Sequence, residues 1–282
     1  KQYMTTEIQT TLTAEQKALL GQLTPQEQGF TRIQLPRLGM YSQDKFEGKG
    51  KGAVLVKEAG MFYTELEQSS TDEEGKVTKE WVKSEIGQTM EGIVLYHRKQ
   101  LSYYDKTTEK YTSSPIYDTP EDVVPLFMDG KEVQRGTPAE LKAKYAYTDP
   151  DDGKVKSKLE DMRVLYILKD DQVYQMTIRG SSMWAFSKYA KSCLVSSVLT
   201  RFNSEAKENS SIAWNQMTFD AVREITPEEA NTVIDNLQKI TISIADEKAY
   251  FASLAQSKTA MTNAVAEENA TLPQGKGVDL DF

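Results

Sequence analysis

The chain has 282 residues, 39% hydrophobic and 27% charged, which suits one large or two small folded domains with a real core. A net charge of −8 argues against a generic nucleic-acid coat, although local positive charge on a groove is all that single-strand binding requires. One cysteine, Cys193, excludes an internal disulfide, and one histidine, His97, excludes a zinc cage, so neither metal nor cofactor is expected.

Residues 1–29 read as a polar leader, and the capping-box pattern Thr13-Ala14-Glu15-Gln16 predicts a short helix after it. The first six residues lack the apolar stretch of a signal peptide. No apolar run approaches the roughly 20 residues of a bilayer span, so a cytoplasmic chain without membrane contact is expected. From about residue 30 the pattern alternates. Residues 31–36, 53–57 and 61–66 are predicted strands, with the Gly-Lys loop Gly48-Lys49-Gly50-Lys51-Gly52 between the first two. Residues 90–98 form a strong strand, and 101–105 follow closely enough to suggest a hairpin.

Residues 105–160 are polar and proline-rich and read as an insertion, with a helix opened by Thr137 as N-cap and Pro138 behind it. The clearest hairpin joins 163–169 to 173–179 through Asp170-Asp171-Gln172. Gly180 then stops the strand, and Ser181 or Ser182 caps a helix to about 197. A strand over 213–219 and two helices, 226–238 and 246–269, complete the elements. Short strands with a late helix predict a mainly β, α+β fold. The expected form is a β-barrel of the oligonucleotide-binding (OB) type with inserted loops and C-terminal helices, and a β-sandwich is its rival. The expected organisation is a leader over 1–29 and a binding domain over 30–225, then helices over 226–270 and a flexible acidic tail over 271–282.

No catalytic constellation is apparent, so a non-enzymatic protein is expected. A triad would need His97 as base, and no Gly-x-Ser-x-Gly elbow exists; His97 reads as a strand-end surface residue. Asp149, Asp151 and Asp152 read as a solvated turn. The Gly-Lys loop lacks the Walker spacing, which leaves Lys49 and Lys51 as phosphate contacts on a hairpin. Aromatic and basic residues mix in Tyr96, Arg98, Lys99, Tyr103, Tyr104, Lys106, Lys110 and Tyr111. Exposed rings on a strand stack on bases of any sequence while nearby cations neutralise phosphates. Alternation puts Tyr103 and Tyr104 on opposite faces, so at least one of them is expected in the core. Tyr166, Tyr174 and Arg179 form a second candidate patch, with Arg179 beside a helix N-terminus. Trp184 and Phe186 are expected to pack their helix onto the barrel, and Trp81 and Trp214 to be core.

The last four residues, Asp279-Leu280-Asp281-Phe282, place an aromatic after two carboxylates. This pattern resembles the acidic tip of single-stranded DNA-binding proteins of bacteria and their phages. The blocks Gly92-Ile93-Val94-Leu95, Tyr103-Tyr104 and Ser181-Ser182, with Phe186 to Tyr189, resemble core blocks of proteins from phages and mobile elements. The resemblance implies a protein that coats single-stranded DNA. Its tip would recruit replication or recombination proteins through Asp279, Leu280, Asp281 and Phe282, with self-association as a further partner. The competing expectation is a phage or mobile-element structural or adaptor protein that self-assembles without nucleic acid.

Overall fold

A computed structural model describes residues 35–47, 54–71, 77–150, 152–210 and 212–271, with side chains as far as 252 apart from Thr71. The leader, Lys49, Lys51 and the tip at 279–282 lie outside the described residues. The chain divides into two compact units; among the described residues the first is 35–237 and the second 238–271.

The first unit is mainly β. Its strands are β1 (Arg37–Met40), β2 (Lys45–Glu47), β3 (Val54–Lys57), β4 (Phe62–Thr71), β5 (Val77–Gly87), β6 (Thr89–Asp105), β7 (Lys110–Ser113), β8 (Val124–Met128), β9 (Lys131–Gly136), β10 (Ala146–Thr148), β11 (Val155–Ser157), β12 (Glu160–Lys169), β13 (Gln172–Arg179), β14 (Val198–Glu208) and β15 (Ala213–Glu224). Eleven form one mixed sheet in the order β5-β4-β1-β13-β12-β6-β7-β8-β9, with β14 pairing both β6 and β15. β1 lies parallel to β13; every other pairing in the sheet is antiparallel.

Among the described residues no closed barrel is found. The start of β15 approaches the turn after β1, where Asn215 N–H donates to Ser42 O at 2.7 Å and Gln43 Nε2 donates to Ala213 O at 3.2 Å. β1 stops at Met40, too short for these contacts to grow into a ladder.

The core lies between the sheet and helix α2 (Gly180–Tyr189), where Phe186 and Tyr189 pack among Leu165, Ile167, Met176, Phe202 and Phe219. Phe186 and Phe219 meet edge to face at 5.3 Å. A smaller second core, with Leu101, Leu126 and Leu159, lies under α1 (Pro138–Lys144), so the 105–160 insertion has an interior of its own. Thr137 and Glu140 close a reciprocal capping box on α1, the arrangement that the Thr-Pro-Ala-Glu order predicts.

Several sequence expectations are corrected. β6 runs unbroken for 17 residues, so no hairpin separates 98 from 101; Lys99-Gln100 contains none of the residues that tolerate a reversal. The β6 hairpin partner is instead β7. The helix expected to reach 197 ends at Tyr189, and β14, not expected from sequence, follows it. Ser181 and Ser182 do not cap α2: Ser181 Oγ accepts from Trp214 Nε1 and Ser182 Oγ accepts from Met217 N–H, both in β15. One helix, α3 (Pro227–Thr271), replaces the two expected. The Thr241-Ile242-Ser243 run between them only weakly disfavours helix. The β12–β13 reversal uses Asp170 and Asp171, both at positive φ (48° and 60°), as a tight two-residue turn demands. Among the described residues no helix is long and apolar enough to cross a membrane.

Candidate nucleic-acid interface

β1, β4 and β5 are neighbours, and strand alternation sorts their side chains. Phe62 points into the core, while Tyr63, Glu65 and Glu67 point outward with Trp81, Lys83 and Glu85 on β5 and Arg37 on β1. Gly39 is the cross-strand partner of Tyr63. A Cβ at residue 39 would sit 2.5 Å from the Tyr63 ring. Glycine therefore lets that ring lie flat across β1, where it stacks on Tyr41 at 4.5 Å and 20°.

Each ring on this face carries a cation. Lys83 Nζ lies 4.7 Å from the Tyr63 centroid, Lys57 Nζ 5.1 Å from Tyr41, and Arg37 Cζ 4.9 Å from Trp81, which is 40% exposed. Such contacts are each worth about 0.5–1 kcal/mol at exposed sites. Glu65 spaces two of the cations, with Arg37 at 3.6 Å and Lys83 at 3.4 Å, and Glu67 holds Lys79 at 3.2 Å. Burial pushes the Tyr41 hydroxyl up in pKa against the opposing pull of Lys83, so the ring stays neutral.

The comparisons with family models, curated proteins and solved structures return no match.

The residues singled out in the sequence fall in several places. Arg98 is 1% exposed: its Nε donates to Asp118 Oδ1 at 2.7 Å and its Nη2 to Ile116 O at 2.8 Å, so it ties the insertion to β6 and offers nothing to a phosphate. Tyr166 is buried at 7% and presents no stacking face. Tyr103 packs against the second core, edge-on to Tyr145, while Tyr104 is exposed and tilted over Tyr111 at 5.0 Å. Lys106 is exposed in the same hairpin, and Lys110 pairs with Asp129 at 2.8 Å. Tyr96 is half-buried on β6. Arg179 is exposed at the mouth between β13 and β15. Lys99 lines a separate groove with Arg163 and Lys142.

Two tryptophans reverse expectation. Trp184 is 76% exposed although Phe186 on the same helix is core, and Trp81 is a surface ring. The 81–85 stretch, Trp-Val-Lys-Ser-Glu, held the missed signal: aromatic and charged residues share one parity.

His97 is also relocated. It sits within β6, edge-on to Phe186 at 5.2 Å, and its Nδ1 lies 3.4 Å from Arg163 Nη1. Burial, then Arg163 and Lys99, drive its pKa from the usual 6.5 to about 4. The unfolded chain therefore binds a proton between pH 6.5 and 4 that the folded chain refuses. Stability is expected to be complete above pH 6.5 and to fall by up to about 2 kcal/mol as pH drops through this window, after allowance for solvent screening. Urea melts of His97→Gln, which keeps an acceptor for Arg163, should lose that slope; an unchanged slope would place its origin elsewhere.

Proposed function

We propose that this protein binds single-stranded DNA without strong sequence preference, using the outward face of β1, β4 and β5 as its stacking platform. The observation that carries this reading is the set of three rings, Tyr41, Tyr63 and Trp81, each paired with a cation on one sheet face. Stacking on rings is tolerant of sequence, and adjacent cations supply the salt-dependent part of affinity. The Tyr104–Tyr111 pair, with Lys106 nearby, extends the same chemistry on a second hairpin. The partly open sheet is in keeping with an OB-like binding domain, and no enzymatic step is part of the reading. Recruitment of replication or recombination proteins falls to Asp279, Leu280, Asp281 and Phe282: an apolar ring for a pocket and carboxylates for its basic rim.

The test is titration of labelled oligo-dT and of the matching duplex across a salt series. Single strands should bind more tightly, with log affinity falling by about 0.7 per neutralised phosphate for each unit of log salt. Equal affinity for both forms, or a flat salt response, would remove the proposal. Removal of 279–282 should leave strand affinity unchanged or slightly higher while abolishing capture of a replication or recombination protein; capture unaffected by the truncation would dismiss the role of the tip.

One observation favours the self-assembling structural protein. On the β2–β3 ribbon Phe46 and its cross-strand partner Leu55 are both exposed, as are Val54 and Val56 on the other face, and exposed apolar surface on both faces of a ribbon suits contact with further copies. Single-strand affinity with its salt dependence separates the readings, since a structural protein that assembles without nucleic acid would sediment as an oligomer yet bind no strand.

A further inference from the structure

Lys99 on β6 and Arg163 on β12 are direct cross-strand partners on the sheet face that holds α2. Like charges placed opposite each other on neighbouring strands repel. Among the described residues neither makes an ion pair. They line a groove of about 350 Å³ between the two cores, with Lys142 of α1 and Ser187 of α2 at its sides. That volume is at the small end for ligand sites, which run from about 300 to 1,000 Å³. The carboxylate in the lining, Asp161, is engaged by Lys142. Asp122, beyond Tyr117, accepts the N–H groups of Asp118 and Thr119. The nearest partner of Arg163 is His97, whose imidazole is held neutral by burial and by these same two cations. The groove is thus built around uncompensated positive charge, with the Ser187 hydroxyl and apolar side chains, Met183 among them, in its lining.

We propose that this groove is an anion site that takes a phosphate group between Lys99 and Arg163, with the Ser187 hydroxyl beside it. The phosphate has two sources, a phosphodiester of a bound strand or a small free phosphate. The first rests on the single-strand reading and the second does not. A planar guanidinium opposite an ammonium suits a tetrahedral anion, because the fork engages two oxygens while the lysine meets a third.

His97 is the only histidine, so its imidazole resonances need no assignment. The experiment follows them by NMR in the full chain across pH, alone, with inorganic pyrophosphate and with oligo-dT. An anion between Lys99 and Arg163 offsets the charges that depress His97, so its midpoint should rise. The Lys99→Gln, Arg163→Gln double variant should bind pyrophosphate at least tenfold more weakly. It should melt no lower than the parent, since a repulsion has been removed. A charge-keeping Lys99→Arg variant should retain the response. A response to pyrophosphate supports the site with a free phosphate as ligand. A response to oligo-dT alone, abolished in the double variant, supports it with a phosphodiester. His97 unmoved by both probes overturns the site. If oligo-dT binds normally to parent and double variant while His97 stays still, the groove fails and the single-strand reading stands. If pyrophosphate moves His97 while oligo-dT binds nowhere, the groove stands and that reading fails.

Discussion

Alanine at Trp81 should weaken oligo-dT binding by about 1–3 kcal/mol, roughly 5- to 150-fold, with little change in melting temperature. The ring lies on the outward face of β5 and belongs to neither core, so its loss removes a stacking surface without opening a cavity. Tyr63→Ala should cost a similar affinity but also some stability, because the Tyr63 ring covers the Gly39 backbone. Gly39→Ala is the sharper variant. It deletes no ring and no charge, yet its methyl must lift Tyr63 off Tyr41. Affinity should fall by the contribution of about one stacked ring. Lys83→Gln should reduce the salt slope by about 0.7 if that cation neutralises one phosphate. Glu65 contacts both Arg37 and Lys83, so the Trp81 and Lys83 changes should couple rather than add. Fluorescence anisotropy of a labelled oligonucleotide avoids reliance on the mutated tryptophan. Unaltered affinity in both Trp81→Ala and Gly39→Ala, at low salt, would eliminate this face as the platform.

The mainly β character and the β12–β13 hairpin were legible because they depend on local rules: period-two alternation and an Asp-Asp reversal. The α1 cap was legible for the same reason, being complete within Thr137–Glu140. What escaped depends on partners far away in sequence. Alternation places Trp81 on a face, but only the pairing of β5 with β4, and of β4 with β1, sets Arg37 over its ring. The flat Tyr63 needs a glycine 24 positions earlier, which looks like an ordinary Leu-Gly-Met step in the sequence. Trp184 and Phe186 stand two apart and do not share a helix face, so with Phe186 in the core Trp184 points to solvent. β14 was masked by the apparent continuation of a helix through Lys191–Ser197, where the chain instead forms a short 3-10 turn. Barrel closure was beyond sequence altogether, since it rests on whether β15 and β1 make a ladder or only isolated bonds.

Arg98 was legible as a cation and misleading as a site. Its replacement by alanine should lower unfolding free energy by about 3–5 kcal/mol, the usual cost of breaking a buried ion pair from one side. Alanine leaves the Asp118 carboxylate without its 2.7 Å donor and the Ile116 carbonyl without its 2.8 Å donor. Lysine should restore only part of the loss, because a single ammonium lacks the fork that reaches both acceptors. Arg98→Met with Asp118→Leu should recover much of it, since the pair is removed together and the desolvation cost disappears with it. The break should open the molecule locally before it unfolds. Ile116 and Asp118 flank Tyr117, whose backbone exchanges two 2.8 Å hydrogen bonds with Lys99, a short bridge that continues the docking of the insertion on β6 beyond the β6–β7 ladder. Hydrogen exchange at the Lys99 and Tyr117 amides should accelerate first in Arg98→Ala, ahead of the amides in β12 and β13. Affinity of the folded fraction for oligo-dT should match the parent, because no part of the guanidinium faces solvent. A variant that melts like the parent yet binds strands more weakly would reverse the assignment and return Arg98 to the interface.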